Sequence, residues 1–324
     1  MNTDKKFKNL IELSAYFSDE AKCVEHLEQL RWNGTLACPH CGGTRVYRLK
    51  QLKKYKCGEK GCLKRFSVTT GTFFESTKIP LSKWFVAMYL CLSHKKGVSS
   101  CQLARDLSVT QKTAWFILHR VRSLVTDKIP VMLEGIVEVD ETYVGGKEKN
   151  KHKSPHAKAK RLAAAGGKIG RGYSAGDSKT VVFGLLERDG KVVNYVVPNS
   201  KGESLLPIIA RQIKQGSTMY SDDLLMYRNT INLGFGHESV SHNQKEYVRG
   251  DVHTANIDGY WSQLKRGLVG VYHHASPKHL HRYCNEFAFR YNTRKNDEQE
   301  RFDKALSNCD GRLKYPQLIN KTGK

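Results

Sequence analysis

Glu134-Gly135-Ile136-Val137-Glu138-Val139-Asp140-Glu141-Thr142-Tyr143-Val144 is the stretch on which the fold turns. Ile136, Val137 and Val139 mark a buried strand, and strand alternation sends Val139 and Asp140 to opposite faces. Two more acidic signals stand far along the chain. One is Ser221-Asp222-Asp223, and the other is Asn256-Ile257-Asp258 with Lys265 seven residues beyond Asp258.

Working outward, Thr180 to Leu186 and Lys191 to Val197 read as two strands around an Asp189-Gly190 turn, a strong hairpin signal. Ser204 to Ile213 reads as a helix, Thr218 to Tyr220 as a short strand ending at Asp222, and Ile257 to Leu268 as a helix. The order strand, hairpin, helix, strand, helix, strand, helix is that of an RNase-H-like mixed sheet flanked by helices, an α/β fold. It puts Asp140 on the central strand, Asp222 at the tip of the adjacent fourth strand, and Asp258 on a helix packed across the sheet. Oxygens from three elements then hold a pair of divalent ions at the roughly 3.5 to 4 Å spacing used in two-metal phosphoryl transfer. Mg²⁺ suits such hard ligands, with Mn²⁺ a functional substitute. Lys265, about two helical turns past Asp258, brings an ammonium towards a phosphate. Each acid alone has a plainer reading: an edge-strand carboxylate, an N-cap for a helix from Leu224, and a first-turn acid favoured by the helix dipole. Their joint occurrence in this element order favours one shared site.

The rest of the chain is basic. Its 324 residues carry 54 Lys and Arg against 31 Asp and Glu, a formal net charge of +23, which attracts polyanions and makes their binding salt-sensitive. Lys147 to Lys179 is a basic, glycine-containing insertion that reads as a loop folding against a polyanion. No apolar run reaches the roughly 18 residues of a membrane span, and Met1-Asn2-Thr3-Asp4-Lys5-Lys6 is no signal peptide. A cytoplasmic, nucleoid-associated protein without membrane partners is expected.

Cys38-Pro39-His40-Cys41 and Cys57 with Cys62 supply four thiolates at zinc-ribbon spacing, with a strand pair between the knuckles. One structural Zn²⁺ is expected on Cys38, Cys41, Cys57 and Cys62, with His40 facing solvent. Cys23, Cys91, Cys101, Cys284 and Cys309 are read as ordinary reduced thiols. Nine Lys and Arg between Thr44 and Phe66, against the single acid Glu59, make a phosphate-contacting face in which Arg45, Arg48 and Lys54 are candidates. A solvated basic hairpin fits the same residues.

Ser82 is the expected N-cap of a helix through Leu92, and Ser99 or Ser100 starts a short helix that turns at Ser108-Val109. Thr110 then caps a helix with Ala114, Ile117, Leu118 and Val121 inside and Gln111, Lys112, His119, Arg120 and Arg122 on its polar side. Two helices joined by a tight turn fit a DNA-reading helix-turn-helix, with Gln111, Lys112 and Arg120 as contacts; a plain helical bundle fits as well.

With these motifs assembled, the chain resembles insertion-sequence transposases of the DDE superfamily, in the group with an N-terminal zinc ribbon before an RNase-H-like catalytic domain. The resemblance rests on Cys38 to Cys41, Phe66 to Phe74, Glu138 to Gly146, Tyr220 to Asp223 with Tyr227, His253 to Lys265, and Phe287 to Asn292. It implies catalytic roles for Asp140, Asp222 and Lys265. Where many members carry Glu, this chain has Asp258, with Asn256 the rival for the third position, and Asp223 and Glu141 projecting elsewhere. It implies binding of terminal inverted repeats, DNA cleavage at the ends, and joining of the 3′-hydroxyl to target DNA by a dimer or larger assembly. His253, Trp261 and Arg266 are expected to line the DNA side. The implied domains are an N-terminal helical segment (1–35), the ribbon (36–76), the helix-turn-helix module (77–130), the catalytic domain (131–295, with the insertion at 147–179) and a C-terminal tail (296–324). The competing readings are a DNA-binding regulator without catalysis and a glycosidase, which also uses paired carboxylates but neither metal nor such a charge.

Overall fold

Helices α1 (Leu10–Tyr16) and α2 (Glu20–Trp32) open the chain, each begun by a short polar side chain: Asn9 accepts from the Glu12 N–H and Asp19 from that of Ala21. The structure, a computed structural model, describes residues 6–50, 54–126, 131–146, 179–222, 234–241, 244 and 246–319. It divides into two units. The first holds Met1–Asp127, Arg266–His274 and Asn285–Lys324, the second Lys128–Lys265 and Ala275–Cys284.

In the first unit the expected strand pair gains a third member. Strands β1 (Val46–Arg48), β2 (Lys54–Cys57) and β3 (Arg65–Ser67) form an antiparallel sheet in that order. Then come α3 (Leu81–Ser93), α4 (Ser100–Leu107) and α5 (Gln111–Leu124). Ser82 is not the N-cap of α3. Pro80 holds that position, and the open N–H groups of Leu81 and Ser82 donate instead to the Glu20 carboxylate of α2, at 3.0 and 3.3 Å. Ser99 and Thr110 cap α4 and α5 as their sequence predicts, and Ser108 makes the turn between them in the left-handed region, at φ 51°.

The polar side expected for α5 is exposed only at its start, at Gln111 and Lys112. Ala114, Ile117, Leu118 and Val121 are buried, but so are His119, Arg120 and Arg122. The Arg120 guanidinium lies over the rings of Phe116 and Trp84, and its Nε donates to the Leu313 carbonyl at 3.2 Å. Arg122 pairs with Glu286 at 2.5 Å. Residues far along the chain cover this face, and helical periodicity carries no trace of them.

The second unit is a five-stranded sheet in the order β6-β5-β4-β7-β8. Its strands are β4 (Ile136–Val144), β5 (Thr180–Glu187), β6 (Val192–Val197), β7 (Thr218–Asp222) and β8 (Gly236–Val240), with α6 (Gly202–Gln212) between β6 and β7. Strands β4, β5 and β6 run antiparallel through the hairpin, where Asp189 sits at φ 56°, while β7 joins β4 in parallel and β8 joins β7 in parallel. This is the RNase-H-like arrangement, with β4 at its centre. Val137 and Val139 of β4, Val181, Phe183 and Leu185 of β5, and Leu205 and Ile209 of α6 form one buried cluster. The helix expected from Leu224, Asp223 and the insertion through residue 178 lie outside the described residues.

Helices α7 (Ala255–Gly270) and α8 (Pro277–Asn292) follow, then α9 (Glu298–Ser307) and α10 (Tyr315–Ile319) in the first unit. Residues 296–319, read from sequence as a tail, are thus part of that unit's core. Phe302 of α9 packs edge-on against Phe7 and Phe85 with ring centroids 5.5 and 5.3 Å apart, and Leu318 of α10 is buried in the same cluster as Leu27 and Cys57. No described helix is long and apolar enough to cross a membrane.

Candidate active site

Parallel pairing of β4 with β7 matches Val139 with Ser221, so the next residues along, Asp140 and Asp222, stand side by side. Their carboxylates meet. Oxygens of Asp140, Asp222 and Glu141 all lie within 4.8 Å of one another, a set able to hold a metal ion. The resemblance implies that Glu141 projects elsewhere, yet its side chain brings an oxygen to the group. Burial raises the Asp140 pKa to about 7, helped by the negative charges of Asp222 and then Asp258. A site that resists its own ionisation in this way is short of positive charge, which hard divalent cations supply.

Asp258 stands outside the 4.8 Å group although its charge is felt at Asp140. It lies in the first turn of α7, exposed, with Oδ2 accepting from Thr254 Oγ1 at 3.4 Å. Asn256 turns elsewhere. Its Nδ2 donates to Glu138 Oε1 at 2.8 Å. Lys265 is exposed two turns further along α7.

Trp261 does not line an open surface. It is buried, and its indole N–H donates to Asp140 Oδ2 at 2.9 Å. The indole can lie there because β5 places Gly184 opposite Asp140, and a Cβ on Gly184 would meet the Trp261 ring at 2.4 Å. His253 is partly buried with Nδ1 3.6 Å from Glu138 Oε1. Two residues given no role from the sequence thus belong to this neighbourhood beside Glu141: Glu138 and Arg188, whose Nε lies 3.2 Å from Glu138. Period-two alternation was a signal for the first, since it puts Glu138 on the same face as Asp140.

In the ribbon, Cys38 and Cys62 Sγ are 3.8 Å apart, Cys41 and Cys57 Sγ 3.6 Å, and all four lie within 4.8 Å of one another. Four sulfurs about 2.3 Å from a tetrahedral Zn²⁺ are separated by about 3.8 Å, so the cluster fits zinc. The four-cysteine cluster is that of a structural zinc ribbon.

The sequence profile of the ISXO2-like transposase domain matches residues 132–292, and that of the transposase zinc-ribbon domain residues 18–65. A protein in transposable element ISH50 of Halobacterium salinarum is 31% identical over 258 residues, covering 78% of this chain and 84% of its own length. The chain belongs to the IS1595 family of DDE-type insertion-sequence transposases. A transposase-like protein of Haemophilus influenzae is 28% identical to this transposase over 102 residues, 32% of this chain and 81% of the other. The crystal structure of the Mos1 strand transfer complex aligns with 71% of the transposase and 79% of its own chain, at 12% identity and a TM-score of 0.23, a likeness too slight to bear on mechanism.

The DNA-contact candidates separate by exposure. Arg45, Arg48, Lys54, Gln111, Lys112 and Arg266 of the transposase are exposed, Arg48 while paired with Glu28 at 2.7 Å. Arg120 and Trp261 are buried, as described, and leave the set.

Proposed function

We propose that this transposase cuts DNA at the ends of its element and joins the freed 3′-hydroxyl to target DNA at the Asp140–Asp222 centre. The observation that carries the reading is the meeting of carboxylates from two adjacent parallel strands, with Asp140 buried enough to have its pKa pushed up to about 7. Asp140 and Asp222 would hold the cations, with Asp258 as the third acid and Glu141 adding an oxygen beside the first two. A pair of divalent ions of the Mg²⁺ or Mn²⁺ class held there would supply the Lewis acidity that activation of a water or 3′-hydroxyl and departure of a 3′-oxygen require. Trp261 fixes the rotation of the Asp140 carboxylate and covers it from water. Lys265 steadies a phosphate of the DNA, and the exposed Arg45, Lys54, Gln111 and Lys112 bind the terminal inverted repeats through phosphates and base edges. Two ends are joined in one event, which calls for a dimer or larger assembly on DNA, in the nucleoid.

The test is nicking of a duplex that carries the element's end, with and without Mn²⁺. Cleavage requires the ion and is lost in Asp140→Asn and Asp222→Asn while DNA affinity is kept. Binding without any metal-dependent cleavage by the unaltered protein would instead support a DNA-binding regulator.

A further inference from the structure

Glu138 is fully buried on β4, two residues before Asp140, and its carboxylate is surrounded by donors. Oε2 accepts from the backbone N–H groups of Asn256 and Ile257, both at 3.0 Å. Oε1 accepts from Asn256 Nδ2 at 2.8 Å and from Arg188 Nε at 3.2 Å. Arg188 in turn donates from Nη2 to the His253 carbonyl at 3.3 Å, and its guanidinium lies over the Tyr220 ring of β7.

The two backbone donors belong to the start of α7, where helical N–H groups have no partner of their own and a negative charge is favoured. A helix usually takes its cap from the residue just before it. Here Thr254 is in place, but its hydroxyl goes to Asp258, and the strand that carries Asp140 supplies the carboxylate instead. A neutral cap would satisfy the same amides. A buried carboxylate, which costs much more to desolvate, also draws in Arg188 and fixes the first turn of α7 in rotation as well as height.

We propose that Glu138 is a positioning residue for the acidic centre: it ties the first turn of α7 to β4, so that Trp261 is held against Asp140 and Asp258 is kept near it, and it occupies Asn256, leaving Asp258 as the third acid. The inference rests on reading the Asp140–Asp222 centre as the active site. Glu138 is not itself a ligand in this arrangement. Four hydrogen bonds, one of them from a cation, already fill its oxygens. Its part is that of the outer partners which orient ligands around metal sites.

The full-length, zinc-loaded protein is compared with Glu138→Gln, Glu138→Asp and Asn256→Ala in three measurements. These are Mn²⁺ binding to the DNA-free protein by calorimetry, the Mn²⁺ concentration for half-maximal nicking, and thermal unfolding. Loss of an orienting partner typically weakens a metal site by about tenfold to a hundredfold, so Glu138→Gln is expected to raise both Mn²⁺ midpoints at least about tenfold. Asn256→Ala shifts them in the same direction by less, and the double variant is no worse than Glu138→Gln alone. Glu138→Asp, with the charge kept, recovers part of the loss. A Glu138→Gln protein that melts earlier but keeps both wild-type Mn²⁺ midpoints overturns the proposal, because the residue is then merely structural. So does loss of Mn²⁺ binding in Glu138→Gln with Asn256→Ala silent, since Glu138 is then a ligand. Should Glu138→Gln not fold, Asn256→Ala and Arg188→Gln thin the same carboxylate's partners; unshifted midpoints in both overturn the proposal. Absence of metal-dependent nicking in the unaltered protein is a different result, which removes the active-site reading itself.

Discussion

Gly184 and Trp261 touch across the sheet face: the indole lies where any side chain at 184 would have to stand, and from there its N–H reaches Asp140. The glycine is on β5, directly opposite Asp140, so the contact needs no unusual backbone, only the missing Cβ. Gly184→Ala is therefore expected to push the ring away and cost what Trp261→Phe costs, the charge-assisted hydrogen bond. A bond of that kind is worth about 1.5–3 kcal/mol, so nicking rates fall by about tenfold to a hundredfold in each variant. The pair is coupled, and the double variant is no slower than the slower single one. A Gly184→Ala protein with the wild-type rate would show that the close approach is unimportant.

Asp140 makes the metal-free protein sensitive to pH in a direction opposite to most salt-bridged carboxylates. Burial and the charges of Asp222 and Asp258 raise its pKa from 3.8 to about 7. Between those values the folded protein holds a proton that the unfolded chain has released, so stability falls as pH rises through that window and stays low above it. Below pH 4 both states are protonated and the group contributes no slope. Comparing melting temperatures of the wild type and Asp140→Asn in chelator from pH 4 to 8 isolates this group from the other carboxylates. The variant is expected to gain on the wild type steadily with pH and to be the more stable protein at pH 8. Equal pH profiles would mean that Asp140 ionises normally.

The sheet and its two strand acids were legible because local signals and topology agreed. Alternation marked β4, Asp189-Gly190 marked the hairpin, and element order alone put Asp222 beside Asp140. What failed to show in the sequence were partners supplied from a distance. Arg120 and Arg122 follow a polar stripe of α5, and only Leu313 and Glu286, more than 160 residues away, convert that stripe into an interior. Trp261, beside Asp258 and Lys265 in its motif, reads as a DNA-side aromatic, and the place that Gly184 opens for it cannot be seen from the motif. Ser82 looked like a cap because the competing carboxylate, Glu20, is 62 residues earlier.

Glu286 is a buried charge in the first unit. Fully enclosed, it accepts from Arg122, from Arg290 and from the Tyr272 hydroxyl, while Arg290 also donates to the Cys91 carbonyl at 2.7 Å. Breaking a buried pair by neutralising one partner costs about 3–5 kcal/mol because the other charge is left without compensation. Glu286→Gln should show that loss in urea unfolding followed by tryptophan fluorescence. Arg122→Met is expected to cost less, since Glu286 keeps Arg290 as its counter-charge. If Arg122→Met is the worse of the two, the cluster is held by packing of the Arg122 stem and not by charge.

Zinc removal separates the two units functionally. Cys38 and Cys57 are buried in the same apolar cluster as Leu27, Tyr55 and Phe66, so the ion's binding energy is also folding energy for the ribbon. Cys41→Ser should lose the bound zinc, whereas His40→Ala, which removes no thiolate, should keep one ion per chain by elemental analysis. The Trp32 ring lies 5.6 Å from Tyr55 and reports the ribbon's opening as a change in fluorescence. Binding of end-bearing duplex weakens in Cys41→Ser, because Arg45 and Lys54 lose the sheet that presents them. Mn²⁺ binding by the DNA-free variant persists at the wild-type midpoint, since none of the acids at 140, 141 and 222 belongs to the unit that holds the cysteines. Loss of Mn²⁺ binding together with zinc would mean that the acidic centre cannot form without a folded ribbon.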